Sequence, residues 1–205
     1  PADMVSLGKI AAAHGLDVVE DCAHALGTKT RYANTWRPVG ACEHGVMCTF
    51  SFHPVKAIAM GEGGAVTTND AELGLRLNTL RNHGLLRDRG RFERQDLVYD
   101  SAGMPSSWYY EMQEFGYNYR LPDINCALGI SQLAKLNRFL ARRRWLVDRY
   151  VECLEGLDPV IRPIHFVPDS EVGWHLFVVQ IDFDALGMTR QAVTQRLVER
   201  GIGSQ

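Results

Sequence analysis

Several features that mark other classes of protein are missing from this sequence of 205 residues. No apolar run approaches the length of a membrane span, and no G-x-G-x-x-G motif follows a predicted strand. Lys and Arg number 22 against 24 Asp and Glu, so the formal net charge of −2 provides no basic surface for nucleic acid. There is neither an internal repeat nor a low-complexity tract. We therefore expect a globular protein that binds neither nucleic acid nor a membrane.

The cysteines also lack the pattern of a disulfide-rich protein. The chain has five of them, Cys22, Cys42, Cys48, Cys126 and Cys153, and no two form a C-x-x-C pair. An odd count argues against a disulfide framework of the kind found in secreted domains. We expect reduced thiols and a cytoplasmic location.

Apolar periodicity and capping residues predict most of the secondary structure. Helices are predicted over residues 4–14, 70–82, 122–136, 137–156 and 189–200, and strands at 16–21, 46–50, 65–68, 160–161 and 174–181. Residues 32–34 have the composition of a hairpin tip. Residues 85–107 are charged and have no period, which predicts a mobile loop. The arginine run 142–144 is interpreted as a solvated helix face.

The most informative stretch is S-F-H-P-V-K-A-I-A-M-G-E-G-G at residues 51–64. It places Lys56 on a loop between two predicted strands, with the hydroxyl of Ser51 five residues earlier. A lysine that is partly withdrawn from water keeps more of its neutral, nucleophilic amine, as covalent catalysis requires. The glycines beyond it let the backbone pass close to a bulky group. A simply solvated loop lysine is the alternative that this stretch alone leaves open.

A second stretch, residues 16–27, predicts a strand that ends in Asp21 and is followed by His24. In open α/β sheets, ligands bind at the carboxyl ends of the strands, which is where Asp21 falls. A carboxylate there suits the pyridine nitrogen of pyridoxal phosphate, which needs an acid partner to stay protonated. The alternative for Asp21 is the cap of a following helix.

Together these stretches resemble the DegT/DnrJ/EryC1/StrS family of sugar aminotransferases. The shared patterns are E-D-x-A-H/Q-A-x-G at residues 20–27, S-F-H/N-x-x-K at 51–56 and G-E-G-G at 61–64. The resemblance implies an α/β protein with fold type I of pyridoxal-phosphate-dependent transferases, in which helices flank a mostly parallel central sheet.

The same resemblance implies a domain division. Residues 1–137 would form part of the cofactor-binding large domain, residues 138–157 a connecting helix, and residues 158–205 the start of a small α+β C-terminal domain. Because the family continues on both sides of the matched region, we expect the chain to be a fragment of a longer protein.

The resemblance also assigns roles to residues that match the family motifs. Lys56 and Asp21 are the catalytic residues: Lys56 binds pyridoxal 5'-phosphate covalently and shuttles a proton, and Asp21 pairs with the pyridine nitrogen. His24 lies near the cofactor ring, and Ser51 binds the phosphate. Asn118 reaches the phosphate from the other subunit, which implies a homodimer with shared active sites. A hydrogen-bonded core histidine and a turn asparagine are the alternatives for His24 and Asn118.

Substrate contacts are expected from His53, Glu62 and His175, although turn stabilisation explains His53 and Glu62 equally well. The segment at residues 108–120 and the H-P-V-K form of the lysine motif resemble one branch of the family, the transaminases of pseudaminic acid biosynthesis. That branch implies transfer of an amino group from L-glutamate to C4 of a UDP-linked 4-keto-6-deoxy-N-acetylhexosamine. Another nucleotide-linked 4-keto or 3-keto deoxysugar is the alternative substrate.

Two further hypotheses give the chain a different kind of function. Cys22-x-His24 and Cys42-x-His44, with His53, would supply metal ligands, but zinc sites usually space paired ligands more widely, so we expect no metal. A non-catalytic module of the same fold is the second hypothesis. The simultaneous presence of the aspartate, serine and lysine of the motifs argues against it.

Overall fold

The computed structural model of the chain describes residues 1–164 and 168–205. Its helices are α1 Met4–His14, α2 Ala71–Arg81, α3 Gln95–Val98, α4 Asp123–Leu133, α5 Leu136–Leu154, α6 Phe183–Leu186 and α7 Arg190–Glu199. Its strands are β1 Val19–Asp21, β2 Lys29–Tyr32, β3 Thr35–Pro38, β4 Met47–Ser51, β5 Gly64–Thr67, β6 Leu85–Leu86, β7 Glu111–Met112, β8 Ile161–Pro163, β9 Ser170–Glu171 and β10 Val179–Ile181.

The central sheet has the strand order β1-β4-β5. Strands β1 and β4 are parallel, with Val19 opposite Met47 and Asp21 opposite Thr49. Strands β4 and β5 are antiparallel, because the loop between them turns back at the same end of the sheet without a crossover helix. The sequence predicts a mostly parallel sheet, and the part within this chain has one pairing of each kind.

A second sheet joins the predicted hairpin to a distant segment. Strands β2 and β3 pair antiparallel around Ala33 and Asn34, whose φ angles of 46° and 63° are those of a tight hairpin turn. The predicted hairpin tip is therefore confirmed. Strand β9, which the sequence did not predict, pairs with β2 and is held further by an Arg31–Asp169 ion pair of 2.5 Å.

Helix ends follow the capping residues of the sequence. Asp70 begins α2 by accepting hydrogen bonds from the amides of Glu72 and Leu73 at 2.8 and 3.0 Å. Gly15 ends α1 in the left-handed conformation, with φ 62°. Thr189 begins α7 by accepting a hydrogen bond from the amide of Ala192 at 3.2 Å. These boundaries confirm the predicted helices.

The prediction of a mobile loop at residues 85–107 is wrong. The segment contains β6, a 3₁₀ turn and α3, and its side chains Leu86, Phe92 and Val98 form a buried cluster against Leu75 and Tyr109. Their spacing matches neither a helix nor a strand, so periodicity analysis passes over them. They converge because short elements fold the segment back on itself.

The strand predicted at residues 174–181 is confirmed only at its end. Strand β10 pairs antiparallel with β8, whereas residues 172–178 have no regular structure. Trp174 and His175 contact α5 and the turn after β1 instead of a neighbouring strand. The domain division stays a prediction, although α5 covers most of the expected connecting helix.

Helix α4 leaves much of its apolar face uncovered within this chain. The exposed fractions of Ile124, Ile130 and Leu133 are 84%, 71% and 53%. Among the described residues, no helix combines the length and the apolar character that crossing a bilayer demands.

Candidate active site

Two predicted site residues lie at the same edge of the central sheet. Asp21 ends β1, and Ser51 ends the adjacent parallel strand β4. The carboxyl ends of parallel strands form the edge at which α/β proteins bind ligands. The pairing therefore assembles a carboxylate and a hydroxyl at one ligand-binding edge.

Asp21 does not cap a helix, since no helix follows β1 before β2. Its Oδ1 accepts a hydrogen bond from the amide of Ala23 at 3.0 Å, which fixes the carboxylate in a short turn. The side chain is exposed, and Oδ2 accepts no hydrogen bond from the described residues. The capping alternative is thus wrong, and one oxygen of the carboxylate remains available to a ligand.

The loop that carries Lys56 is held closed at its base. The amide of Phe52 donates to the carbonyl of Gly63 at 2.9 Å, and the amide of Met60 donates to the carbonyl of Phe52 at 3.0 Å. Asn125 of α4 adds hydrogen bonds to the carbonyls of Met60 and Glu62 at 2.8 and 3.1 Å. Lys56 itself is half-buried. The backbone of the loop is therefore held at its base, next to the end of β4.

The glycines after Lys56 are expected to let the backbone pass close to a bulky group, but Gly64 is required for a different reason. A side chain at Gly64 would place its Cβ 2.7 Å from the carbonyl oxygen of Phe50 on the paired strand. Gly64 therefore permits close approach of two backbones.

Ser51, His53 and Glu62 form a local network around this loop. Ser51 Oγ accepts from the amide of His53 at 3.4 Å, and His53 Nδ1 accepts from the amide of Val55 at 3.4 Å. His53 Nε2 lies 3.8 Å from Glu62 Oε1, with the two side chains 47% and 81% exposed. These contacts support the turn-stabilising role, and the exposed side chains remain accessible to a substrate.

The structure brings His24, His175 and Lys56 together, although they come from three separate segments. The imidazole centroids of His24 and His175 are 4.4 Å apart, with the rings inclined by 57°. Burial lowers the pKa of His175, and the positive charges of His24, Lys56 and Arg143 lower it further. Nδ1 of His175 is buried and has no hydrogen-bond partner among the described residues. The positive charge of Lys56 therefore acts on a His175 imidazole whose pKa is already lowered by burial.

Asn118 makes none of the described contacts with these residues. Its neighbours hold it against the end of α2, where the amide of Tyr117 donates to the carbonyl of Leu80 at 2.6 Å and Asn118 forms a β-bridge with Asn82. Its side chain is exposed. No described contact joins Asn118 to Lys56 of the same chain.

The Cys-x-His ligand set of the alternative metal hypothesis does not assemble in the described part of the chain. His24 packs on His175, and His44 lies edge-on to Tyr32 at 4.8 Å. The group that does converge is Glu20, Cys22 and Cys48, whose ligand atoms lie within 4.8 Å of one another.

The thiols of Cys22 and Cys48 stay protonated at neutral pH. Burial, followed by the Glu20 carboxylate, raises the pKa of Cys22 to about 11. Burial and a hydrogen bond with Cys42 raise the pKa of Cys48 to about 12. Cys42 Sγ lies 3.5 Å from Cys48 Sγ. These are packed thiols rather than thiolates at neutral pH.

Sequence analysis missed one contact of the site. The arginine run at 142–144 was interpreted as a solvated face, but Arg143 is half-buried and its Nη1 donates to the carbonyl of Trp174 at 2.7 Å. No pattern in the sequence links two positions that are 31 residues apart.

The fold and the lysine loop define the class of protein first: this is fold type I of the pyridoxal-phosphate-dependent transferases. The model of the DegT/DnrJ/EryC1/StrS aminotransferase family matches residues 1–205, and the chain belongs to that family. Aminotransferases of the family depend on pyridoxal phosphate.

Several solved structures are similar to the chain. Helicobacter pylori PseC, an aminotransferase involved in the biosynthesis of pseudoaminic acid, is 28% identical, with a TM-score of 0.80 over 98% of this chain and 47% of its own. S. venezuelae DesV is 34% identical, with a TM-score of 0.76 over 98% of this chain and 46% of its own. The sugar aminotransferase CalS13 from Micromonospora echinospora is 28% identical, with a TM-score of 0.75 over 99% and 49%. The chain thus spans about half the length of each.

Proposed function

We propose that the protein containing this chain is a pyridoxal-phosphate-dependent aminotransferase that acts on a nucleotide-linked keto sugar. One observation carries the proposal: the Lys56 loop leaves the sheet at the edge where Asp21 and Ser51 end. Membership of the family supports it.

The donor set at this edge fits pyridoxal phosphate. The available carboxylate oxygen of Asp21 suits the pyridine nitrogen, the Ser51 hydroxyl suits the phosphate, and His24 suits the face or edge of the ring. The buried Nδ1 of His175, without a hydrogen-bond partner among the described residues, belongs to a ring that packs on His24. When bound, the cofactor supplies an electron-withdrawing ring.

Each residue has a task that follows from its position. Asp21 holds the proton on the pyridine nitrogen by its negative charge. Lys56 Nζ, on a rigid loop, binds the cofactor and carries a proton to and from the substrate carbon. The half-buried surroundings of Lys56 keep bulk water away from that transfer.

Asn118 belongs in this scheme as a residue of a second copy. Its exposed side chain, which has no described contact with Lys56 of the same chain, supports a contact with the phosphate bound by the partner of a homodimer. The active sites would then be shared between subunits.

For the substrate we propose a UDP-linked 4-keto-6-deoxy-N-acetylhexosamine, aminated at C4 with L-glutamate as donor. Support comes from the similarity to PseC, which takes part in pseudoaminic acid biosynthesis. His53, Glu62 and His175 would contact the sugar nucleotide. A reducing cytoplasm suits the five free cysteines.

A second candidate is another nucleotide-linked 4-keto or 3-keto deoxysugar. It is supported by CalS13, a sugar aminotransferase whose identity to the chain, 28%, equals that of PseC.

The test is an assay of the full-length protein against a panel of UDP- and dTDP-linked keto sugars with L-glutamate. Lys56→Ala should abolish turnover and the absorbance of the lysine-bound cofactor, because no other amine occupies that loop. Lys9→Ala, a change of an exposed lysine on α1, is the control and should alter neither. Full transamination by the Lys56→Ala variant would refute the proposal, and preference for a dTDP sugar would favour the second candidate.

A further inference from the structure

Three consecutive residues, Gly173, Trp174 and His175, each contact a distant part of the chain. The amide of Gly173 donates to Thr28 Oγ1 at 2.9 Å. The carbonyl of Trp174 accepts from Arg143 at 2.7 Å, and the ring of His175 lies on that of His24. The contacts come from the turn after β1 and from α5, so a segment without regular structure has a fixed path.

The first of these contacts is a close packing of two backbones. A side chain at Gly173 would place its Cβ 2.4 Å from the carbonyl oxygen of Leu26 and 2.8 Å from the amide nitrogen of Thr28. Thr28 is only 3% exposed. The segment therefore lies directly on the turn, with no room to slide.

The second contact, the hydrogen bond to the Trp174 carbonyl, comes from Arg143, the middle arginine of the run at 142–144. Arg143 is half-buried, whereas Arg142 and Arg144 are exposed, and Arg142 lies over the ring of Trp145 at 4.0 Å. A guanidinium is always charged, and its hydrogen bond to a carbonyl is stronger than a neutral one. Arg143 is thus suited to fix the backbone immediately before His175.

The third contact, between the rings of His175 and His24, adds to the positive charges that act on His175. His24 faces His175 from the turn after β1, Lys56 from the loop between β4 and β5, and Arg143 from α5. Each of these charges disfavours a proton on the His175 imidazole. Displacement of Arg143 would remove one charge and admit water.

We propose that Arg143 is a positioning residue for the amino-transfer site: it fixes the Trp174 carbonyl and so holds His175 against His24 beside Lys56. Arg143 acts through His175 and touches neither cofactor nor substrate. The inference rests on the proposed function only for the identity of the reaction at that site.

The experiment compares Arg143→Gln, Arg143→Lys and the control Arg142→Gln in the full-length protein loaded with pyridoxal phosphate. The titration of the His175 imidazole is followed by NMR, and KM and kcat are measured with the best sugar nucleotide. For Arg143→Gln we expect a raised pKa of His175 and a KM raised about ten- to a hundredfold, with a smaller change in kcat. Arg143→Lys should restore part of both, and Arg142→Gln should match the parent.

A lowered melting temperature with unchanged His175 titration and unchanged KM would overturn the proposal, because a purely structural arginine gives that result. Should the glutamine variant not fold, Arg143→Met retains most of the stem without the charge or the donors, and an unchanged His175 titration and KM in that variant would also overturn the proposal. If the parent protein aminates no sugar nucleotide, the proposed function fails. The His175 titration still decides the positioning role in that case.

Discussion

Asp21 combines exposure with a fixed orientation, and its charge is the property on which its proposed role depends. Asp21→Asn keeps the size and the hydrogen bond from Ala23, but a neutral amide cannot hold a proton on a pyridine nitrogen. We expect kcat to fall by about a hundredfold, with a smaller loss of cofactor affinity. Stopped-flow kinetics would measure kcat, and equilibrium titration with pyridoxal phosphate would measure the cofactor affinity. Asp17→Asn, on the approach to the same strand, should behave as the parent, and an unchanged kcat for Asp21→Asn would contradict the role.

The packed thiols give a second prediction for single residues. At a pH below the ordinary thiol pKa of 9.0, the buried Cys22 and Cys48 stay protonated. Iodoacetamide reacts with the thiolate, so it should modify the exposed Cys153 first and these two cysteines last. Mass spectrometry of the labelled peptides gives the order. Equal labelling of Cys22 and Cys153 in the folded protein would contradict it.

The same raised pKa values have a consequence for stability. Above pH 9.0 the unfolded thiols ionise, while folded Cys22 and Cys48 hold their protons up to about 11 and 12. The free energy of unfolding should therefore be unaffected by these thiols below pH 9.0 and fall as the pH rises above it. Denaturant titrations across that range test this, and Cys48→Ala should reduce the slope.

Among the elements, the segment between α2 and α4 depends on one carboxylate. Glu111 accepts hydrogen bonds from the amides of Glu93 and Arg94 at 2.7 and 2.9 Å, from Tyr109 Oη at 2.7 Å and from Gln113 Nε2 at 2.6 Å. Partial burial raises the pKa of Glu111, but these donors together lower it below the ordinary value of 4.5. Its stabilisation is thus present above pH 4.5 and lost as the pH falls through the lowered pKa.

Glu111→Gln should loosen this segment at neutral pH, because an amide oxygen carries less charge than a carboxylate. Amide hydrogen exchange at residues 93 and 94 should become faster, as it should in the parent protein at acid pH. Glu93→Gln changes an exposed carboxylate nearby and is the control. Unchanged exchange in Glu111→Gln would show that the carboxylate does not hold the segment.

A pair of glycines joins α2 to the segment that presents Asn118. A side chain at Gly116 would bring its Cβ to 2.0 Å from the amide nitrogen of Gly84, and backbone cannot yield as a flexible side chain does. Gly116→Ala should lower the free energy of unfolding by about 2–4 kcal/mol. Gly90→Ala, whose Cβ would meet its nearest atom at 3.5 Å, should be mild. Equal stability of both variants in urea would exclude the contact.

Elements determined by neighbouring residues were predictable, and those determined by distant ones were not. Gly15, the hairpin tip at Ala33 and the lysine loop follow from local rules of capping, turn geometry and strand alternation. The cluster of Leu86, Phe92 and Val98 has no period, and the Arg143–Trp174 contact joins separate elements. For the candidate site, the motifs predict Asp21, Ser51 and Lys56, whose roles stay predictions, whereas the contacts that hold residues 173–175 appear only in the tertiary structure.

At the scale of the whole molecule, the chain carries apolar surface that it does not cover. Phe115, Ile124 and Ile130 are 92%, 84% and 71% exposed. The 205 residues produced alone should bind a hydrophobic dye, associate, retain pyridoxal phosphate weakly and show negligible transamination. The full-length protein, in the proposed homodimer, should bind less dye, associate no further than two subunits, retain the cofactor and transaminate. A monomeric, fully loaded and active fragment in light scattering and activity assays would contradict both the dimer and the need for further chain.

The hydrogen bond between the amide of Gly173 and Thr28 Oγ1 joins residues that are 145 positions apart in the sequence. This sequence separation affects the order in which the parts of the site can form during folding. Strands β1, β4 and β5 and the loop of Lys56 all lie before residue 68, so they leave the ribosome long before residues 173–175. Closing so long a connection is slow compared with pairing neighbouring strands. We therefore expect a newly made chain to pass through a stage in which the lysine loop has formed but the histidine pair has not.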